Sequence, residues 1–392
     1  MNKAWFMAVL ALTVFATISA TLIVPPLLVE IATDLDISVA VAGQLATATF
    51  AAWAIMGVSG GPLSDSFGRR PVAMVCLAVL SASVLASAFA PNFETLVALR
   101  VLTGLGGGAL PPNIIGAVAD VISPARRGRT VAALLAIQGL ASGISIPLVA
   151  LLADVGGWRF AFIVYGLILV AALVANWLWL PKGQSERVRT WAFFSRYLSL
   201  VSMRFFRVAM AVNITQRIAF WGTISFFAAY LISTFELSVG YVALPLAIAA
   251  AGQMIGSYAA SFVVNHRQRA FFIAASTAIG GVCAFLLFTM GLGLWASVAL
   301  AAVGTGLMSM TFPVLVAAST EYSGESKATG VGLMGFSNQA GGALGAGIAG
   351  ALLATTGYVG VGYMCLVAVI VSALLTGLFG RQFGESASQS RG

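Results

Sequence analysis

The chain alternates between long apolar runs and short polar connections. Twelve runs of about 20 residues show no period-two alternation, and each is long enough to cross a bilayer core as an α-helix. They cover residues 5–31, 40–62, 71–90, 94–119, 129–153, 160–180, 208–234, 240–264, 271–291, 294–318, 328–354 and 359–380. The pattern predicts an all-α polytopic membrane protein with twelve transmembrane helices. The first run stays apolar through Pro25 and Pro26, so we expect a retained helix rather than a signal peptide.

Composition supports a membrane-embedded chain. Of the 392 residues, 60% are hydrophobic and only 8% are charged, whereas soluble chains carry roughly 25% charged residues. The three cysteines, Cys76, Cys283 and Cys365, lie inside apolar runs and are expected to be small buried side chains. His266 is the only histidine, which argues against a histidine metal centre. No cofactor is expected.

Basic residues are distributed asymmetrically between the two sides of the predicted bundle. If alternate connections lie on opposite sides, all of the 20 Lys and Arg residues except Arg100, Arg159 and Arg217 fall on one side. Cytoplasmic connections carry this excess in membrane proteins. The pattern predicts that both termini are cytoplasmic in a multi-pass protein of the cell membrane, and we expect a bacterial cytoplasmic membrane. The net charge of +8 therefore reflects topology rather than nucleic-acid binding.

The chain divides into two similar halves. The longest basic connection separates six runs from six, and an offset of 200 residues aligns Ser38 with Ser238, Arg69 with Arg269 and Gly157-Trp158 with Gly357-Tyr358. We therefore predict a six-helix bundle over 1–180, a linker over 181–207, a second bundle over 208–380 and a tail over 381–392. Parallel repeats place a cavity between the halves near mid-membrane, which indicates alternating access.

Four short motifs resemble signatures of the major facilitator superfamily. They are "GPLSDSFGRRPV" from Gly61, "RVLTGLGGGA" from Arg100, "GLASGISIP" from Gly139 and "GWRFAF" from Gly157. The third is a degraded form of a helix 5 signature of exporters, because Ile146 replaces its usual glycine. The resemblance is greatest to twelve-helix drug and sugar-efflux proton antiporters, and it implies the major facilitator fold.

The first motif is interpreted as a conformational latch. Asp65 and Arg69 are four residues apart, close enough to pair, and the resemblance adds Asp120 as a partner. A solvated turn is the alternative; a phosphate-binding loop is excluded because Gly-Lys-Ser/Thr and a preceding strand are missing. The predicted latch residues are Gly61, Asp65, Gly68, Arg69, Arg70 and Asp120. Its counterpart, "NHRQRA" from Asn265, lacks the acid and the glycines, so we expect a latch in the first half only.

Polar residues inside the runs are candidate substrate contacts. Arg217 lies about nine residues, or about 13 Å, into its predicted helix, so it should face a cavity or a partner. Snorkelling or bonding to helix carbonyls is the alternative for it and for Arg100. The predicted substrate-binding residues are Arg100, Asn113, Gln138, Asn213, Gln216, Arg217, Gln253, Asn338 and Gln339.

The predicted function is secondary active transport. The resemblance implies export of a small amphipathic or sugar-like solute, with proton antiport as a coupling mode. Proton antiporters of this kind hold an intramembrane carboxylate, and Glu30 is the deepest acid here. Uptake of a small organic anion is the alternative, favoured by the intramembrane arginines; a non-transporting receptor or scaffold is a third. No enzymatic constellation is present in the sequence. The expected partners are a small-molecule substrate, protons and lipid, and a monomer is expected.

Overall fold

The computed structural model describes residues 3–181, 192–264, 266, 268–324, 326–380 and 383. Ten of its helices are long and apolar enough to cross a membrane, and two of these contain 54 and 51 residues. Each of the two is divided by a glycine with non-helical backbone, Gly157 (φ 74°) and Gly357 (φ 67°). Counting each divided helix as two gives the twelve spans that the apolar pattern predicts.

We number the spanning helices α1 to α12 in chain order. They are α1 (Trp5–Asp34), α2 (Val39–Phe67), α3 (Arg69–Ser87), α4 (Phe93–Val121), α5 (126–156), α6 (158–179), α7 (Arg204–Phe235), α8 (Ala243–Val263), α9 (Arg269–Thr289), α10 (Leu294–Tyr322), α11 (329–356) and α12 (358–379). The connecting helix, Ala192–Ser202, precedes α7. A 3-10 turn, Pro25–Leu27, interrupts α1, because proline lacks the backbone donor that an α-helix needs.

Two boundaries differ from those expected from the sequence. Helix α2 continues through Pro62 to Phe67, so the connection to α3 is Gly68 alone. Helix α7 begins at Arg204 rather than at residue 208. Of the predicted linker and tail, residues 182–191, 381–382 and 384–392 lie outside the described part of the chain.

The two halves repeat in backbone detail. The two described non-glycine residues with positive φ are Asp36 (51°) and Glu236 (53°), which are 200 positions apart. L-residues seldom adopt this conformation, so its recurrence at one offset marks equivalent turns. The glycines that divide the two longest helices, Gly157 and Gly357, have the same spacing.

Small residues allow close packing between neighbouring helices. A Cβ on Gly104 of α4 would lie 2.7 Å from the Ala52 side chain of α2, and Gly256 of α8 lies directly against the backbone of Gly306 in α10. Membrane helices associate through such close backbone approaches, since the hydrophobic effect gives little drive in lipid.

The halves meet at one end of the bundle. We call the end at which α2 joins α3 and α8 joins α9 the basic face, and the opposite end the far face. Between the far face and mid-bundle, Gln44 Nε2 donates to the Gly347 carbonyl (3.4 Å) and the Phe50 and Trp221 rings lie 4.8 Å apart. Residues 222–231 of α7 are buried throughout this region.

Towards the basic face, α7 instead presents a partly exposed stripe at helical spacing. The stripe consists of Met210, Ala211, Ile214, Thr215, Ile218 and Trp221. Residues at this spacing share one side of a helix. The space between the halves therefore opens towards the basic face, with the Phe50–Trp221 pair near its inner end.

Candidate functional site

Arg217 lies deep inside the second half. Its position is thirteen residues beyond the start of α7 at Arg204, which corresponds to about 20 Å of helix, deeper than the sequence suggests. The side chain is 3% exposed. Its guanidinium lies over the rings of Phe220 (4.4 Å) and Phe312 (5.3 Å). Nε is buried without a hydrogen-bond partner, and no described carboxylate pairs with it.

Two predicted amides hold the helices around Arg217. Gln216 Nε2 donates to the carbonyl of Met308 in α10 (2.8 Å). Asn213 Nδ2 donates to Ser337 Oγ of α11 (2.7 Å). The side-chain oxygens of both amides are buried without partners. These residues fasten α7 to α10 and α11.

Trp221 lies one helical turn from Arg217 on α7. It is partly exposed, contacts Phe50 of α2, and its Nε1 is buried without a partner. The indole therefore offers an aromatic face and an unused donor at the inner end of the cavity. A flat ring can stack on such a surface.

Arg100 is enclosed within the first half. The side chain is 0% exposed, Nη2 donates to Ser87 Oγ (2.7 Å), and the guanidinium lies over Phe162 (4.8 Å). Nε and Nη1 are buried without hydrogen-bond partners. In this conformation Arg100 does not line the cavity between the halves.

The other predicted substrate residues take different positions. Asn113 is buried and donates to the Arg69 carbonyl (2.9 Å), which ties α4 to α3. Asn338 donates to Gln339 Oε1 (2.8 Å) on α11. Gln138 and Gln253 are partly exposed on α5 and α8. Asn213 and Gln216 thus lie within one turn of Arg217 on α7, while Asn113 contacts the backbone of Arg69.

Three of the predicted latch residues form a connected cluster at the basic face. Arg69 Nη2 lies 2.6 Å from Asp65 Oδ1, Nε lies 3.1 Å from Asp120 Oδ2, and Nη1 donates to Ser64 Oγ (2.5 Å). Asp65 lies in the last turn of α2 and Arg69 begins α3, so the pair spans a break rather than one continuous helical turn. Gly68 makes that break with φ 93°.

The two remaining latch residues have separate environments. Arg70 donates to the Trp177 carbonyl of α6, which fixes the first turn of α3 within the same half. Gly61 faces open space, so a side chain there would meet no neighbour within 4 Å.

The second half contains an ion pair of its own. Arg269 Nη2 and Nη1 lie 2.7 and 2.8 Å from the two carboxylate oxygens of Glu321. The arginine is 1% exposed and also donates to the Val264 and Phe383 carbonyls. The sequence comparison did not predict this pair, because it looked for an acid only in the segment aligned with the first motif. The 200-residue offset aligns Asp120 with Thr320, and Glu321 is the next residue in the chain.

Glu30 lies at the far-face end of α1. It is half-buried, its Oε2 has no hydrogen-bond partner, and it is close enough to Asp154 for the two carboxylates to repel each other. It is therefore separated along the bundle axis from Arg217.

Two six-helix repeats around a cavity that opens to one side define the architecture of a secondary transporter. The family model described as the Major Facilitator Superfamily matches residues 9–346. The chain belongs to this superfamily, and its family and fold are those of a membrane transporter rather than an enzyme.

Several curated relatives match part of the chain. A gallate transporter of Pseudomonas putida is 31% identical over 150 residues, covering 38% of this chain and 33% of the relative. A niacin transporter of Acinetobacter baylyi is 32% identical over 134 residues, covering 34% and 30%. A gentisate transporter of Corynebacterium glutamicum is 32% identical over 148 residues, covering 36% and 33%. The match thus spans about a third of the length of these relatives.

A solved structure matches the whole fold. The crystal structure of a bacterial homolog of the human lysosomal transporter Spinster, in an inward-facing and occupied conformation, superposes with a TM-score of 0.80 at 17% identity. The match covers 98% of each chain. At this identity the likeness concerns the fold alone.

Proposed function

We propose that the protein moves a small organic anion across a bacterial cytoplasmic membrane by alternating access, with Arg217 as the anion-binding residue. The single observation that carries the proposal is a mid-membrane guanidinium without a carboxylate partner in the described part of the chain. This choice replaces the amphipathic or sugar-like solute expected from the sequence as the leading substrate class.

The energetics of Arg217 favour an anionic ligand. A charged arginine at mid-bilayer costs about 2.5–3.5 kcal/mol on insertion scales. The two aromatic rings beside it return about 0.5–1 kcal/mol each, which leaves part of the cost uncompensated. A carboxylate would supply charge-assisted hydrogen bonds to the guanidinium. The adjacent Trp221 could then stack on a ring attached to that carboxylate.

The names of the relatives agree with this chemistry. Gallate, gentisate and niacin are each an aromatic ring that carries a carboxylate, and each is named as the substrate of a matching relative. They support aromatic carboxylates as the first substrates to test on this chain.

The direction of access follows from the asymmetry of basic residues. The basic face is assigned to the cytoplasm because positive connections stay inside. The structure is then open to the cytoplasm and closed at the far face. The Asp65–Arg69–Asp120 cluster would hold the first half in this state, and Glu30 is the candidate carboxylate for proton coupling.

Uptake is the first candidate direction, as in the organic-anion alternative considered from the sequence. Efflux by proton antiport is the second candidate, supported by the residues from Gly139 to Pro147 that resemble the exporter signature. Vesicles with an imposed pH gradient distinguish the two. When the side that corresponds to the cell exterior is the more acidic, a proton symporter should move the solute inwards and a proton antiporter should move it outwards. A flux that does not depend on the pH gradient would refute proton coupling and the proposed role of Glu30.

Binding to the purified protein tests the anion site. We expect nicotinate to raise the unfolding temperature of the wild type, whereas nicotinamide, which has the same ring without the charge, should not. Arg217→Gln should weaken nicotinate binding at least about tenfold, in line with the loss of one charged contact. Arg159→Gln, at the exposed far-face arginine that pairs with Asp34, is the matched control. Equal affinity in Arg217→Gln would refute the assignment.

A further inference from the structure

Asp154 makes a polar contact between the two halves. It lies near the far-face end of α5, and its Oδ1 accepts hydrogen bonds from the Gly240 backbone N–H (3.2 Å) and from Ser238 Oγ (3.5 Å). Gly240 and Ser238 belong to the turn between α7 and α8 in the other half. A carboxylate of one half is therefore held by a turn of the other.

The fit between Asp154 and Gly240 is close. A Cβ added to Gly240 would come within 2.6 Å of Asp154 Oδ1, so the absence of a side chain allows the carboxylate to reach the backbone. Among the other far-face acids, Asp34 is paired with Arg159 of its own half at 2.5 Å, and Glu30 is close enough to Asp154 for the two carboxylates to repel each other. No described lysine or arginine pairs with Asp154, which leaves its charge for the contact with the turn.

The pseudo-symmetric contact is built from neutral groups. Residues 38 and 40 of the first half correspond to 238 and 240, and Ala354 stands where the repeat aligns with Asp154. On the symmetry-related side, the contact between the halves is made by Gln44, whose Nε2 donates to the Gly347 carbonyl. Among the hydrogen bonds between the halves in the described part of the chain, Gln44 makes one through a neutral amide and Asp154 makes the others through a carboxylate. Charge-assisted hydrogen bonds are the stronger kind.

We propose that Asp154 is the residue that latches the far face shut, through the Ser238–Gly240 turn. The inference rests on the alternating access proposed above and adds the contact that must break when the far face opens. The basic-face clusters around Arg69 and Arg269 each lie within one half, so each connects helices of the same half. Asp154 instead acts directly between the halves.

A reversible cross-link tests the contact. Asp154→Cys and Gly240→Cys together place two thiols within disulfide reach, and the native cysteines Cys76, Cys283 and Cys365 are buried. With a protease site inserted in 182–191, oxidation should leave the two cleaved halves joined on a non-reducing gel. Flux of nicotinate should stop on oxidation and return on reduction. Absence of a cross-link in the folded protein, or full flux in the cross-linked protein, would overturn the proposal.

Labelling tests the latch without any substrate. Thr47 lies beside Gly347, next to the Gln44 contact between the halves, and its hydroxyl is buried. A cysteine at position 47, made by Thr47→Cys, therefore becomes reactive when the far face opens. In vesicles of both orientations, Asp154→Ala should speed maleimide labelling from the far side by about threefold, as expected for a contact made by a solvent-exposed carboxylate. Labelling from the basic side should not change. Asp34→Ala is the matched control, and equal rates in both variants would refute the latch even if no transported solute is found.

Discussion

Replacing Arg217 should stabilise the empty protein while abolishing its response to anions. Arg217→Met removes a charge that costs about 2.5–3.5 kcal/mol at mid-bilayer, together with a buried Nε that has no partner. It also removes two ring contacts worth about 0.5–1 kcal/mol each. The methionine keeps apolar and sulfur contacts with Phe220 and Phe312. The difference is a stabilisation of about 1 kcal/mol.

Arg269 provides the matched contrast, because it is equally buried but fully engaged. Arg269→Met removes the ion pair with Glu321 and strips donors from the Val264 and Phe383 carbonyls. Because the Glu321 side chain is 34% exposed, the loss of these charged hydrogen bonds should cost about 1–3 kcal/mol. The two arginine-to-methionine changes should therefore move stability in opposite directions.

The three buried cysteines make the assay simple. A thiol-reactive fluorescent dye reports unfolding as Cys76, Cys283 and Cys365 become exposed. We expect Arg217→Met to raise the midpoint temperature of unfolding by about 2 °C. Nicotinate, which raises this midpoint in the wild type, should not change it in the variant. Arg269→Met should lower the midpoint by several degrees. A lower midpoint for Arg217→Met would mean that the guanidinium has a structural counter-charge, and the ligand-site reasoning would fail.

Three further changes test the surrounding framework. Gly68→Ala forces a side chain to φ 93° and should cost about 1–3 kcal/mol, seen as a lower unfolding midpoint; an unchanged midpoint would contradict the strain. Gly256→Ala overpacks α8 against Gly306 and should cost about 1–3 kcal/mol in the same assay, with Gly61→Ala as the unstrained control. Asp120→Asn weakens an exposed pair and should change stability by less than about 1 kcal/mol, while slowing solute exchange; normal exchange would remove Asp120 from the latch.

The sequence predicted the architecture because each long apolar run has few alternatives in a membrane. It also located Arg217 and the Asp65–Arg69–Asp120 set, the first from its depth and the second from the resemblance. It ended the second apolar run at residue 62, because polar residues and glycine follow, whereas in the structure α2 continues to Phe67.

Contacts between distant segments were not accessible from the sequence. The pairing of Glu321 with Arg269 was missed because the fixed 200-residue offset aligns Asp120 with Thr320. Allowing the alignment to shift by one residue would have identified Glu321 as the equivalent acid. Asp154 and Gly240 are 86 positions apart in chain order, and neither stands in a motif. Phe312 reaches Arg217 only through the packing of α10 on α7.

Counterflow in proteoliposomes tests the central claim, that Arg217 binds a transported organic anion. Vesicles with purified protein are loaded with unlabelled nicotinate and diluted into labelled nicotinate. We predict transient accumulation of label, competition by gentisate but not by nicotinamide, and no accumulation with Arg217→Gln, while Arg159→Gln behaves as the wild type. Accumulation at the wild-type rate with Arg217→Gln would contradict the account.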